Sequence, residues 1–150
     1  MQFDITLAKQ PSIFRRLGAM LYDSILLLGI LMLATALVSI PYEVISHEKI
    51  YEATLPLALM RLYLITVVAA FYVYFWTRGG QTLGMRAWRF RVIREDGNNL
   101  RFGSALARFD WAILSLLPAG WGLLWSLVDR DGLAWHDRKS RTRLVMLQKQ

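Results

Sequence analysis

The chain has 150 residues, of which 55% are hydrophobic and 19% are charged, and its formal net charge is +7. This hydrophobic share exceeds the about 45–50% that is usual for soluble domains, which argues against an ordinary soluble fold. The lack of cysteine excludes a disulfide scaffold, an iron–sulfur cluster and a thiol nucleophile, and two histidines leave little for a transition-metal site.

Two long apolar stretches dominate the first half of the chain. The first covers about residues 17–40 and is interrupted by Asp23, and the second covers about residues 55–76 with Arg61 as its one charge. About 20 helical residues cross a hydrocarbon core of about 30 Å, so both stretches predict transmembrane helices. The first is too long for the apolar region of a cleavable signal peptide and is expected to stay as an anchor.

A third apolar stretch, at about residues 105–128, contains Arg108, Asp110 and a Pro- and Gly-rich centre at residues 118–122. That centre is typical of a helix break. Two alternatives stay open: a re-entrant helical hairpin that folds at the break, or a straight further span. The hairpin is favoured because it returns the basic tail, residues 129–150, to the side of the other arginine-rich segments.

The distribution of lysine and arginine predicts the orientation. The segment before the first span and the 77–104 loop are rich in arginine, whereas the 41–54 loop has Lys49 against three glutamates. By the positive-inside rule, the N-terminus and the 77–104 loop are cytoplasmic and the 41–54 loop is external. The expected location is therefore a bacterial inner membrane, crossed several times.

A small β structure is expected between the second and third stretches. Apolar and basic residues alternate over residues 88–93, and Asp96-Gly97-Asn98 provides a turn before Leu100 and Phe102, which predicts a β-hairpin. Residues 142–147 could add a third strand. The predicted fold is an all-α membrane protein with a small cytoplasmic β-hairpin cap. No internal repeat or linker is evident, so residues 1–150 are expected to form a single domain.

Charged residues near the first and third stretches are candidates for an intramembrane polar or ion site. Arg16 and Asp23 are seven residues apart and share a helix face. Asp23 lies about 10 Å inside the first span, where a carboxylate costs several kcal/mol unless it is paired, hydrated or protonated. Arg108 is expected at a similar depth and is the predicted partner of Asp23, while Asp110 points to another face. The pair could be an ion site or only a lock between helices.

Two further polar groups flank the membrane segments. One is a basic cap for which anionic lipid is a more natural partner than nucleic acid: Arg86, Arg89, Arg91 and Arg94. The other surrounds Gly132 and lacks the ligand spacing of a calcium loop: Asp129, Asp131, His136 and Asp137. No serine nucleophile motif accompanies the His-Asp pair, so these carboxylates are expected to cap helices and pair with arginines, and no catalytic, cofactor or metal site is predicted.

Several separated motifs, in this order, resemble the RDD family of small bacterial membrane proteins from about residue 11 to 146. The motifs are Arg16-Leu17-Gly18-Ala19, Asp23, residues 79–86 (GGQTLGMR), Arg91-Val92, Asp96-Gly97, Arg108, Asp129-Arg130, His136-Asp137-Arg138 and residues 142–145 (TRLV). The one arginine and two aspartates of the family name are placed at Arg16, Asp129 and Asp137, and His136 accompanies them. Met85 departs from the lysine common in relatives. The resemblance implies an inner-membrane location and a transport-related role, with sodium/proton exchange proposed for some members.

Two hypotheses of function follow from these features. In the first, Asp23 alternates between a protonated and a cation-bound state, with Arg108 adjusting its pKa. Two spans and a hairpin are too few to enclose a path, so a homo-oligomer, most simply a dimer, is required. In the second, the protein is a membrane scaffold or accessory subunit that binds a partner protein or anionic lipid through its basic cytoplasmic face. An enzyme is not expected.

Overall fold

A computed structural model of the chain describes residues 9–116 and 120–147. In chain order, its elements are α1 (Ile13–Ser46), α2 (Thr54–Arg78), α3 (Leu83–Ala87), β1 (Phe90–Arg94), α4 (Phe102–Leu116), α5 (Trp121–Leu124), α6 (Trp135–Lys139) and β2 (Thr142–Met146). A turn of 3-10 helix, Trp125–Leu127, follows α5. The residues form two compact units: the apolar unit, Ser24–Phe71, and the sheet unit, which contains the described residues before and after it.

The apolar unit contains the C-terminal part of α1 and the N-terminal part of α2. Large side chains along it, such as Leu28, Leu33 and Leu37, are more than 60% exposed. Only 11% of the apolar window of α1 and 17% of that of α2 are buried within the protein, whereas the core helix of a soluble protein is mostly buried. Both helices are long and apolar enough to cross a membrane, and they contain the predicted spans at residues 17–40 and 55–76.

The sheet of the second unit has two antiparallel strands from distant parts of the chain. β1 pairs with β2 from Phe90↔Met146 to Arg94↔Thr142, with Val92 opposite Leu144 at the centre. The predicted β-hairpin over residues 88–102 is therefore wrong. After β1 the Arg94 amide donates to the Asn98 carbonyl at 2.9 Å and closes a turn, but Phe102 begins α4 instead of a strand. The segment predicted as a third strand is the true partner of β1.

The third apolar stretch is divided between two helices. α4 ends at Leu116, and α5 begins at Trp121 after Gly120, whose φ of +79° is a left-handed conformation that suits glycine. Gly122 packs so closely on Ser115 that a Cβ atom would collide with the serine hydroxyl. The predicted break at residues 118–122 lies between these helices, although Pro118 is outside the described residues. The relation of α4 and α5 to a membrane stays a prediction.

The sheet unit is built from two copies of one structural motif, a short helix followed by a strand. α3 and β1 are matched by α6 and β2, each 52 residues further along the chain (Leu83 to Trp135, Phe90 to Thr142). The residue before each strand has a positive φ, +56° at Arg89 and +51° at Arg141. Their carbonyl oxygens accept equivalent hydrogen bonds, from the amide of Leu147 at 2.9 Å and from that of Glu95 at 3.1 Å.

A local pseudo-twofold axis relates these copies. Val92 is paired with Leu144, its own equivalent, so the axis passes between them at the centre of the sheet. The preceding glycines match as well, with φ of +66° at Gly80 and +63° at Gly132. The expectation that the chain has no internal repeat is thus wrong at the level of structure.

The match extends to the helices that precede the two copies. Asp23 on α1 contacts Gly84, and Ser115 on α4 contacts His136, which is the equivalent of Gly84. The contacting residues are 61 positions apart in the first copy and 21 in the second, so the first copy is 40 residues longer. The apolar unit, Ser24–Phe71, lies within this longer segment. The two long apolar helices are therefore an extension of one of the two copies.

Candidate functional site: two buried carboxylates

Asp23 is a buried carboxylate, 3% exposed, held by neutral donors. Thr82 donates its hydroxyl proton to Asp23 Oδ2 at 2.5 Å, and the amide of Gly84 donates to Oδ1 at 2.8 Å. The position of Thr82 follows from local structure, because it is the N-cap of α3 and its Oγ1 also accepts the Met85 amide at 3.2 Å. We call Asp23, Thr82 and Gly84 the Asp23 site.

Gly84 is required for this contact. A Cβ atom at residue 84 would collide with the carbonyl oxygen of Ala19 on α1 and lie 3.0 Å from Asp23 Cγ. The absence of a side chain lets the start of α3 approach α1 closely enough for a backbone amide to reach the carboxylate. The Asp23 site thus depends on a threonine cap and a glycine in the same short turn.

Asp137 is the second buried carboxylate and is fully enclosed. Its Oδ1 lies 2.6 Å from Arg108 Nη1, its Oδ2 lies 3.4 Å from Arg16 Nη1, and Oδ2 also accepts the Ala134 amide at 3.0 Å. Arg16 is 4% exposed and Arg108 is 2% exposed. Burial alone would raise the pKa of Asp137, but the charges of Arg108 and Arg16, together with His136 and the amide bond, lower it below its usual value.

Both arginines also donate to neutral acceptors. Arg16 donates from Nη2 to Gln10 Oε1 at 2.7 Å and to the Gly132 carbonyl at 2.8 Å. Arg108 Nη1 also donates to the hydroxyl of Thr142, the first residue of β2. The Asp137 cluster, which we define as Arg16, Arg108, Asp137 and Thr142, ties α1, α4, α6 and the sheet together.

His136 borders this cluster. Its Nδ1 lies 3.3 Å from Ser115 Oγ, and its Nε2 lies 3.6 Å from Asp137 Oδ1. Burial lowers the pKa of His136 to about 4; the charge of Asp137 opposes this shift, and those of Arg108 and Arg16 add to it. The imidazole is therefore neutral at physiological pH.

The predicted Asp23–Arg108 pair is wrong. Arg108 binds Asp137, whereas Asp23 binds Thr82 and Gly84. Asp110 is exposed on α4 and joins neither carboxylate. The predicted lock between helices exists, but it is formed by Arg16 and Arg108 around Asp137.

The other predicted site residues lie nearer the surface. Asp129 accepts the Leu133 amide at 3.0 Å and pairs with Arg138 at 2.7 Å, and the amide and the arginine lower its pKa although partial burial opposes them. Within the predicted basic cap, Arg86 and Arg89 are exposed.

The other two arginines of that cap have local partners. Arg91 donates to Asn99, and Arg94 lies 3.1 Å from Asp96. Sequence reasoning missed Thr82, Gly84 and Thr142 as partners of the buried charges. The N-cap position of Thr82 before a short helix was the signal that could have indicated the first of them.

Comparison with known proteins gives one match. The model of the RDD family covers residues 10–141 of the chain. Neither the curated proteins nor the solved structures give a match. The described residues contain no group of three or more histidine, cysteine or acidic side chains that could hold a metal ion.

Proposed function

The chain belongs to the RDD family and is a membrane protein, and we propose that it exchanges a monovalent cation for protons across the bacterial inner membrane as a homo-oligomer. Asp23 is the proposed carrier residue. The observation that supports this role is that Asp23 is buried in an apolar helix and is met by a hydroxyl and an amide, with no cationic side chain within ion-pair distance in the described residues.

The absence of a fixed counter-charge distinguishes Asp23 from Asp137. A buried carboxylate without a cation is costly, and it is relieved by binding either a proton or a metal cation. Asp137 already has two guanidiniums beside it and has no need of either. The exchange role therefore falls on Asp23, and Arg108, which binds Asp137, does not take part in it.

A monovalent cation fits the ligands better than a divalent one. The Asp23 site offers one carboxylate and the hydroxyl oxygen of Thr82. That oxygen can coordinate a cation once the hydroxyl group turns its proton away from Asp23. Divalent hard cations take more oxygen ligands and usually more than one carboxylate. Two long helices cannot enclose a path by themselves, so the proposal includes an oligomer.

Ion flux into proteoliposomes tests the proposal. An imposed sodium or potassium gradient should drive proton movement with the wild type, and Asp23→Asn should abolish it, because asparagine keeps the shape but cannot exchange a charge. Asp110→Asn is the matched control, since Asp110 is exposed, and it should keep the wild-type rate. Equal flux through the wild type and Asp23→Asn would contradict the proposal.

A scaffold or accessory role is the alternative, and one observation favours it. Arg86 and Arg89 of the basic cap are exposed. Basic side chains beside a membrane gain about 1 kcal/mol each from an anionic leaflet. Flotation with vesicles of anionic and neutral lipid, compared between the wild type and an Arg86→Gln, Arg89→Gln double variant, measures this contribution separately from flux.

A further inference from the structure

Arg108 and Trp76 form a buried stacked pair in the sheet unit. Arg108 Cζ lies 5.2 Å from the centroid of the Trp76 ring, and the two side chains are 2% and 5% exposed. Neither Arg108 Nε nor Trp76 Nε1 has an acceptor among the described residues. Buried N–H donors are rarely left without an acceptor, because the lost hydration is not recovered.

The charges within the Asp137 cluster do not balance. Two buried guanidiniums, those of Arg16 and Arg108, face the single carboxylate of Asp137. His136 adds no charge at neutral pH, since burial lowers its pKa to about 4. The cluster therefore carries one positive charge in excess, well shielded from solvent.

The internal repeat explains the imbalance. Arg16 precedes Asp23 by seven positions and Arg108 precedes Ser115 by seven, so the two arginines are equivalent members of the two copies. The equivalent of Asp137, 52 residues earlier, is Met85, which is 9% exposed. Two equivalent arginines thus share one acid, because the other copy has an apolar residue at the matching position.

We propose that a small monovalent anion, chloride or another halide, binds beside Arg108 and Trp76 and accepts their free N–H groups. Two further aromatic rings line this region: Tyr72 lies 5.2 Å from Trp76 and 6.2 Å from Phe109, centroid to centroid. The edges of aromatic rings are electropositive, which favours an anion beside them. A single excess charge in an apolar setting suits a weakly hydrated monovalent ion and not a dianion such as phosphate.

The test measures the thermal stability of the purified protein in detergent at fixed sodium concentration and ionic strength, with chloride replaced stepwise by gluconate. A ligand that binds only the folded state raises the melting temperature in a saturable way. At a hundred times the Kd, the expected rise is about 5 °C or more. Broadening of the 35Cl resonance, reversed by bromide, provides a second measurement that does not depend on unfolding.

Variants locate the site. Trp76→Phe keeps the ring and removes one donor, so it should raise the half-saturating chloride concentration by about tenfold or more. Trp111→Phe, at an exposed tryptophan on α4, should leave that concentration unchanged. Asp23→Asn removes a negative charge that acts on Tyr72, so it should not raise that concentration, which separates this site from the proposed exchange site.

Met85→Glu tests the charge argument, because it places a carboxylate at the position equivalent to Asp137. The chloride response should then disappear. If the wild type melts at the same temperature in chloride and gluconate with no 35Cl broadening, or if Trp76→Phe responds as the wild type does, the proposal is wrong. Should Met85→Glu fail to fold, Trp76→Phe still decides the question.

Discussion

Replacing Asp137 with asparagine should destabilise the sheet unit more than any other single change at a carboxylate. The substitution leaves two buried guanidiniums without a counter-charge, since Arg108 and Arg16 lie 2.6 and 3.4 Å from the carboxylate. Breaking a buried ion pair by removing one partner costs about 3–5 kcal/mol. Weakening the bond from the Ala134 amide adds about 1 kcal/mol, for a total of about 4–6 kcal/mol.

This loss is a large part of the about 5–15 kcal/mol by which domains are usually stable. For a chain of this size it corresponds to a fall of about 10–20 °C in melting temperature, measured by differential scanning fluorimetry in detergent. Asp129→Asn is the matched control, because its partner Arg138 is exposed and shared with Asp131. If the two substitutions lower the melting temperature equally, the cluster does not lock the unit.

The coupling can be measured directly with a double-mutant cycle. Arg108→Met should be strongly destabilising in the wild type but should cost less than half as much in the Asp137→Asn background, because the stranded charge is then removed together with its partner. Equal costs in both backgrounds would show that Arg108 and Asp137 do not interact energetically.

Two further predictions concern backbone approach and pH. Gly84→Ala should lower stability by about 1–3 kcal/mol and reduce ion flux, since a Cβ atom collides with the Ala19 carbonyl, whereas Gly79→Ala, with open space around it, should do neither. Burial lowers the pKa of His136 to about 4 in the folded protein, whereas the ordinary pKa of histidine, 6.5, applies in the unfolded chain. Below pH 6.5 the unfolded chain therefore binds a proton that the folded protein does not bind. Stability is full above pH 6.5 and falls by about 3 kcal/mol as the pH drops to 4. His136→Gln should flatten the melting temperature across that window and His47→Asn, at an exposed histidine, should not; an unchanged slope in His136→Gln would refute the assignment.

The two long helices could be predicted from the sequence because their signal is local. About twenty successive apolar residues are enough to indicate a span, and no information about the remainder of the chain is needed. The break between α4 and α5 was equally local, since glycine and proline limit helix continuation wherever they occur.

The pairing of charges and strands could not be predicted in this way. Asp23 was expected to meet Arg108 because charge attraction and depth favour that pair, but a hydroxyl and an amide supplied by the α3 turn satisfy it instead. β1 was expected to pair with its neighbour in sequence, yet its partner lies about fifty residues away. Long-range choices of this kind depend on which elements pack together, which periodicity does not reveal.

The repeat escaped detection because its residues are constrained by backbone geometry and not by side-chain identity. Of thirteen equivalent positions at residues 82–94 and 134–146, only three arginines are identical: Arg86 with Arg138, Arg89 with Arg141, and Arg91 with Arg143. The other positions differ, with glycine replaced by histidine and methionine by aspartate in the second copy. The lengths of helix and strand and the positive φ values are nevertheless the same in both copies.

The repeat also gives a reason for the different environments of the two buried acids. Each copy positions the first helix against the start of a short helix, but the acid lies on the first helix in one copy (Asp23) and on the short helix in the other (Asp137). An acid on the short helix is within reach of both equivalent arginines, Arg16 and Arg108, and becomes a fixed charge. The acid on the first helix, Asp23, meets the hydroxyl and amide of the α3 turn, and no cationic side chain among the described residues pairs with it. That acid belongs to the copy whose helices are extended by the apolar unit, so the carboxylate for which we propose proton and cation exchange is the one on a helix long enough to cross a membrane.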